Sequence, residues 1–196
     1  MVAKHIKEID FKTVIVSPLR RTLQTAYHLL KDHPKFDEMK FVVHPGVREH
    51  VFGMSETTRF LGSSLSSCEL PNLDTTPMED ENGRIDELFY TRGFQPELLE
   101  RFKETPQDQI DEIIKEAISE RFPRSCEYLE GTYDRVQEVK KQLKESNEKT
   151  LVVTHKVLLK FWTGKWDGMQ RPFVSLPSEF ASINNCELFV DPEFNE

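Results

Sequence analysis

Cysteine is scarce in this chain, and long hydrophobic runs are absent. The 196 residues include three cysteines, Cys68, Cys126 and Cys186, and this odd number at wide spacing does not suit a disulfide framework. No apolar run approaches the roughly 18 residues that a membrane-spanning helix needs. Residues 1–12 also lack the apolar core of a signal peptide. We therefore expect a soluble, cytoplasmic protein with no membrane contact.

Basic charge is also in deficit. The chain has 26 Lys and Arg residues against 34 Asp and Glu, and the segment from Glu79 to Glu120 holds 13 acidic but 5 basic residues. Binding to a phosphate backbone requires a basic surface, so we expect no nucleic-acid partner. The acidic segment is interpreted either as a solvated helical face or as a surface that docks a protein partner.

Residues 13–30 carry the most informative local pattern. The β-favouring run TVIV leads into Ser17, and apolar side chains then recur at helical spacing. This pattern predicts a strand that turns directly into a helix, with the Ser17 hydroxyl capping the first turn. Arg20 and Arg21 lie in that turn, where backbone N–H groups and the helix dipole favour an anion. The alternative is a capped helix with two solvated arginines.

Two further strands are predicted, at Lys40–Val43 and Thr150–Thr154, together with an amphipathic helix at Tyr133–Leu143 capped by Thr132. Strand, helix and strand in succession indicate a parallel sheet and an α/β fold. His155 directly follows the third strand. Because the carboxyl ends of parallel strands meet at one edge of a sheet, we expect His155 to lie near the arginine turn.

The whole chain, residues 1–196, is interpreted as one domain with a long irregular acidic insert or lid around residues 54–122. Two helices are predicted near this region, at Glu97–Lys103 and Asp108–Arg121. A last strand is predicted at Ser182–Val190.

Four motifs occur in order along the chain: SPLRRTLQTA from Ser17, VREHVFG from Val47, LVVTH from Leu151 and NCEL from Asn185. Together they resemble the histidine phosphatase superfamily, which includes phosphoglycerate mutases and acid phosphatases. The resemblance implies a phosphoglycerate mutase-like α/β fold, in which a mainly parallel sheet is flanked by helices. It also implies that the ligand is a phosphomonoester, either a phosphorylated small molecule or a phosphopeptide.

The resemblance also assigns roles to individual residues. Arg21 looks like a phosphate-binding arginine, Glu49 like the proton donor to the leaving oxygen, and His155 like a histidine that binds the phosphoryl group. These roles suit a guanidinium fork, a partly buried carboxylic acid and an imidazolium. Arg20 remains a rival to Arg21 for the anion, and Ser17 is included among the substrate-binding candidates. No cofactor and no metal are expected.

One departure from the family pattern affects the expected chemistry. The family carries an Arg-His-Gly triplet at the end of its first strand, and that histidine is the nucleophile; the sequence printed here contains no such triplet. His5 follows no apolar strand, and Lys156 stands where the family usually has glycine. The first family strand is therefore expected to be absent, so that the sheet must close up, shift its pairing or borrow a strand.

Three functions remain open on the sequence alone. The chain could be a phosphomonoester hydrolase whose nucleophile comes from a segment outside it or from an unconventional residue. It could instead be a pseudophosphatase that binds phosphorylated ligands without turnover. It could also be a structural subunit of a complex that docks through its acidic surface. The missing nucleophile makes catalytic competence doubtful.

Overall fold

Four parallel strands form the centre of the structure, a computed structural model that describes residues 5–51, 65, 67–79, 100–101, 104–106, 109, 112–113, 127–166, 169, 171, 173, 175–181 and 188–191. The strands are β1 (Thr13–Val16), β2 (Lys40–Val43), β3 (Leu73–Asp74) and β4 (Thr150–Val153), in the spatial order β3-β2-β1-β4. The parallel α/β sheet predicted from the sequence is thus confirmed.

The pairing register brings three strand ends to the same level. Val16, the last residue of β1, is paired with Val43 of β2 on one side and with Val153 of β4 on the other. β1 and β4 are hydrogen-bonded directly to one another. Residues 5–12 form a helical turn and irregular backbone rather than a strand. Among the described strands, the sheet has therefore closed up around β1.

In the described part of the chain, three helices flank the sheet: α1 (Arg20–Leu30), α2 (Leu129–Ser146) and α3 (Lys156–Thr163). Both predicted helix caps are wrong. Leu19 is the N-cap of α1, and α2 begins four residues before Tyr133, so that Thr132 lies inside its first turn. The Ser17 and Thr132 hydroxyls instead bind histidine rings on distant segments, an outcome that local sequence patterns do not report.

The strands bury side chains on both faces, and this divides the core into two clusters. Val14 and Val16 of β1 pack with α1 through Leu23 and Ala26. The intervening Ile15 packs against the second cluster, which includes residues of α2 and α3. Because successive strand residues point to opposite faces, α1 covers one face of the sheet and α2 and α3 cover the other. Because helices cover both faces of the sheet, we expect a ligand-binding site at the carboxyl ends of the strands.

Several predicted elements lie outside the described residues. Most of Glu97–Lys103, Asp108–Arg121 and Ser182–Val190 falls there, as does most of the region around residues 54–122. These elements, the lid and the single-domain interpretation stay predictions. The described helices include no candidate for a membrane-spanning segment.

Candidate functional site

The carboxyl edge of the sheet brings together residues from two distant parts of the chain. Ser17 follows β1, and its backbone N–H donates to the Val153 carbonyl at 3.1 Å. Two residues beyond Val153, His155 forms the N-cap of α3. The Ser17 Oγ and His155 Nε2 atoms are 2.7 Å apart. The predicted convergence of these two strand ends is therefore present.

The hydrogen bonds of His155 specify the position of its proton. Arg21 Nε donates to His155 Nδ1 at 3.3 Å. Since Nδ1 accepts a hydrogen bond, the proton of the neutral ring is on Nε2, and Nε2 donates to Ser17 Oγ. Burial, reinforced by the positive charges of Arg21 and Arg135, lowers the pKa of His155 to about 3. His155 is consequently a neutral hydrogen-bond donor in this arrangement, whereas the resemblance implied an imidazolium.

The two rival arginines occupy successive positions at the start of α1. Both residues are exposed, and Arg21 also contacts His155 through its Nε at 3.3 Å. The first turn of α1 has no side-chain cap. The start of this helix therefore remains suited to an anion, and the choice between the two guanidiniums stays a prediction.

Glu49 is buried beside the same edge, with 8% of its surface exposed. Its Oε1 accepts hydrogen bonds from the backbone N–H groups of His50 and Leu158, both at 3.0 Å. Burial raises the pKa of Glu49, although these backbone hydrogen bonds and the charge of Arg21 oppose that shift. The structure thus places Glu49 near Arg21 and at the start of α3. Its role as a proton donor stays a prediction.

A buried ion cluster behind Glu49 was not predicted from the sequence. Glu127, whose side chain has 0% exposure, binds both terminal nitrogens of Arg48 at 2.9 Å and Nε of Arg135 at 3.0 Å. Burial alone would raise the pKa of Glu127, but the two arginines outweigh it and hold the pKa at about 2. One sequence signal pointed here: the polar triplet Arg-Glu-His lies between two valines, Val47 and Val51.

His50 is the second histidine buried in this region. Its Nδ1 lies 2.6 Å from the Thr132 hydroxyl, and its ring stacks on Phe161 with centroids 5.5 Å apart. Burial lowers the pKa of His50 to about 4, against a smaller opposite effect of Glu127. His50 and His155 are therefore both buried and neutral. His50 packs on α3, the helix that begins directly after His155.

These histidines predict a pH dependence of stability. In the unfolded chain both histidines have a pKa near the ordinary value of 6.5. In the folded protein the pKa is about 4 for His50 and about 3 for His155. The unfolded state therefore binds more protons below pH 6.5, and we expect the free energy of unfolding to fall as the pH is lowered from 6.5 towards 4, by up to about 1.4 kcal/mol per histidine and pH unit. Urea denaturation at several pH values measures this loss.

A variant of the exposed His5, His5→Gln, is the control and should reproduce the wild-type pH profile. Histidine ring proton NMR provides the direct test. Ring resonances of His50 and His155 that titrate with midpoints near 6.5 in the folded protein would contradict the expectation.

Among the described residues, His, Cys, Asp and Glu side chains form no group of three placed to hold a metal ion.

No curated protein and no solved structure matches the chain.

A family comparison does give a match. The family model described as Histidine phosphatase superfamily (branch 1) matches residues 1–62. The matched segment contains Ser17, Arg21 and Glu49, and His155 lies beyond it. The four-stranded parallel sheet between flanking helices is consistent with a phosphoglycerate mutase-like fold. The match covers 62 of the 196 residues, and over this segment the chain is similar to the histidine phosphatase superfamily (branch 1).

Proposed function

We propose that this protein binds phosphomonoesters at the carboxyl edge of β1 and β4 through Arg21 and His155, and that it hydrolyses them slowly or not at all. The observation that carries the proposal is a pair of hydrogen bonds made by the His155 ring. Its Nε2 bonds to Ser17 Oγ, and its Nδ1 bonds to Arg21 Nε. It places a guanidinium and an imidazole at one point of the sheet edge, beside the start of α1.

The binding part of the proposal rests on charge and donor geometry. A guanidinium can donate two parallel hydrogen bonds to phosphate oxygens, and such charge-assisted bonds are about twice as strong as neutral ones. Arg21 lies in the first turn of α1, where the helix dipole adds positive potential. These features support an anion of phosphate size rather than a neutral ligand.

The low-turnover part rests on the state of the two candidate nucleophiles. His155 accepts from Arg21 through Nδ1 and carries its proton on Nε2, so neither ring nitrogen has a lone pair available for attack on phosphorus, whereas the Nε2–H can be shared between Ser17 Oγ and a phosphate oxygen. Ser17 accepts from His155, which is the reverse of the serine–histidine arrangement in which the imidazole removes the hydroxyl proton. Neither group is therefore activated for attack on phosphorus.

Three of the other five histidines also have a hydrogen-bonded ring nitrogen, and one of them, His44, follows β2 at the same carboxyl edge. His33 Nδ1 accepts from the Lys35 N–H, and His44 Nδ1 accepts from the Gly46 N–H. His50 is engaged with Thr132, as described above. Because Nδ1 accepts in His33 and His44, the proton of each neutral ring lies on Nε2 and neither ring offers a lone pair to phosphorus, which favours binding over formation of a phosphohistidine at these two positions.

Hydrolysis is the second candidate, and Glu49 favours it. Burial raises the pKa of Glu49, which is the direction required of a general acid. If a nucleophile reaches the site, the carboxyl group could protonate the leaving oxygen. Activity measurements distinguish this candidate from binding alone.

We expect inorganic phosphate to raise the melting temperature without measurable turnover of an aryl phosphate. A ligand at 100 times its dissociation constant stabilises the folded state by about 2.7 kcal/mol. For a chain of this length that corresponds to a shift of roughly 5–10 °C. Differential scanning fluorimetry with phosphate measures the shift, with sodium chloride at equal ionic strength as the control.

A rapid hydrolysis of para-nitrophenyl phosphate that is lost in His155→Ala would contradict the low-turnover proposal and favour the enzyme. The absence of any phosphate-specific shift would contradict the proposed binding.

A further inference from the structure

We propose that Glu49 is a positioning residue for His155, and that Arg135 and Glu127 hold the loop that carries Glu49. This inference concerns the site of the proposed function and deepens it. The loop is defined as residues 46–51. It connects α2, through Arg135, to α3, through Glu49.

Arg135 binds three backbone carbonyl groups of the loop. Its NH1 nitrogen donates to the carbonyl oxygens of Gly46 at 2.7 Å and Arg48 at 2.9 Å. Its NH2 nitrogen donates to the Glu49 carbonyl at 3.2 Å. A planar guanidinium with five fixed N–H groups can satisfy several carbonyls at once, which an ammonium group cannot do in the same geometry.

Glu127 completes the attachment of the loop. Its Oε2 accepts from the Val51 N–H at 3.0 Å, while the same carboxylate pairs with Arg48 and Arg135. At the other end of the loop, a Cβ atom on Gly46 would lie 2.4 Å from Val139 Cγ2, so the backbone packs directly on α2. One end of the loop is therefore packed on α2, and the other is bonded to Glu127, which lies two residues before α2.

The Glu49 side chain connects the fixed loop to α3. Its carboxylate accepts from the Leu158 N–H in the first turn, and a second hydrogen bond from the Val157 N–H contributes to its pKa. A carboxylate at this position satisfies N–H groups that have no partner within the helix and complements its dipole. His155 is the N-cap of α3, so the carboxylate that holds the first turn also sets the direction of the imidazole.

The cost of burial indicates that the arrangement has a role beyond stability. Arg48, Glu49 and His50 are consecutive and have 1%, 8% and 1% exposure. Buried ion pairs gain little over well-packed apolar side chains of equal volume, because desolvation offsets their attraction. What these groups do provide is a unique orientation of the loop relative to α2 and α3.

The test compares Glu49→Gln with Glu49→Ala. The amide oxygen of glutamine can still accept from the first turn of α3, but alanine cannot. We expect long-range proton–nitrogen NMR to show the Nε2–H tautomer of His155 in the wild type and in Glu49→Gln, and mixed tautomers in Glu49→Ala. Calorimetric affinity for inorganic phosphate should be about fivefold weaker in Glu49→Ala than in Glu49→Gln, the usual size of a capping effect.

The wild-type tautomer in both Glu49 variants would overturn the inference. If both lose the tautomer, the positioning role of Glu49 stands and depends on its carboxylate charge. If both keep it, Glu49 does not position His155.

A second pair of variants tests the loop attachment even if Glu49→Ala fails to fold. Arg135→Lys keeps the charge but loses the fork, and we expect it to disturb the His155 tautomer. Arg171→Lys is the matched control, because Arg171 pairs with the exposed Asp134, next to Arg135 on α2, at 2.6 Å. An undisturbed His155 signal in Arg135→Lys would contradict the role given to Arg135.

The two proposals fail separately. If the wild type does not bind phosphate, the proposed function is wrong, but the NMR comparison of His155 tautomers still decides the positioning role. If phosphate binds and the tautomer is indifferent to Glu49, the positioning inference alone is wrong.

Discussion

Arg21→Ala is expected to weaken the binding of inorganic phosphate by about 10- to 100-fold. Hydrogen bonds to charged groups contribute about 1.5–3 kcal/mol, and each 1.4 kcal/mol corresponds to a tenfold change in affinity. Arg21 is the guanidinium that the structure places against His155, at 3.3 Å. Isothermal titration calorimetry at constant ionic strength measures the loss. His155→Ala should weaken phosphate binding as well.

Arg20→Ala is the comparison for this prediction. The same charge is removed from the same turn of α1. Both arginines are exposed, but it is Arg21 that hydrogen-bonds to His155, so we expect the charge of Arg20 to act through solvent, which screens it. We expect a loss of less than about threefold, the usual size of an exposed charge effect. A larger loss in Arg20→Ala than in Arg21→Ala would assign the anion to Arg20. Unchanged affinity in both Arg21→Ala and His155→Ala would remove the site.

The Arg21→Ala variant has a second, independent readout. The positive charge of Arg21 is one of the causes that lower the pKa of His155. Arg21→Ala should therefore raise the pKa of His155, and ring proton NMR can follow that change in the absence of phosphate. This result separates the loss of a phosphate ligand from a general disturbance of the edge.

Glu127→Gln is expected to have the largest effect on stability. It leaves Arg48 and Arg135 buried without their carboxylate, and removing one partner of a buried ion pair costs about 3–5 kcal/mol. Since small domains are stable by about 5–15 kcal/mol, the variant should be close to unfolding. Urea denaturation at pH 7.5 measures the loss, and Asp134→Asn, at an exposed ion pair, should cost less than about 1 kcal/mol.

The pH dependence of this contribution has a definite sign. The pKa of Glu127 is lowered from 4.5 to about 2 on folding. Its stabilising contribution is thus fully present above pH 4.5 and is lost as the pH falls towards 2. The difference in stability between wild type and Glu127→Gln should shrink over that interval. A double variant, Arg48→Met with Glu127→Gln, should recover part of the loss at neutral pH, because one unpaired charge is removed. A cost below about 1 kcal/mol for Glu127→Gln would contradict the paired-cluster interpretation.

Local patterns were sufficient for the sheet and for part of the site. The runs TVIV, KFVV and TLVV form strands at the predicted positions, since alternating or continuous apolar residues of β-branched type favour a buried strand. The meeting of Ser17 and His155 followed from a topological rule, because the carboxyl ends of parallel strands share an edge. The resemblance of the VREHVFG motif to the family pattern assigned Glu49 to the site. In the structure its carboxylate bonds to the first turn of α3.

Local patterns failed where a polar side chain has a choice of partners. Ser17 and Thr132 both occupy positions from which a hydroxyl could cap a helix, yet each binds a histidine, 138 and 82 residues away in the chain. Glu127 and Arg48 are 79 residues apart, and the valines on either side of residues 48–50 suggest burial without indicating the partner. No local propensity reports such pairs, because they exist only after the core has brought the segments together.

The sequence by itself therefore determined the parallel α/β sheet, the strand-to-helix turn that bears Arg21 and the strand that delivers His155. These features depend on the spacing of neighbouring residues. The tertiary structure alone decided the tautomer of His155, the attachment of Glu49 to α3 and the burial of Glu127 between two arginines. The reason is that buried charges and hydrogen-bond donors take whichever partners the packed segments supply, and those partners lie on other elements of the chain.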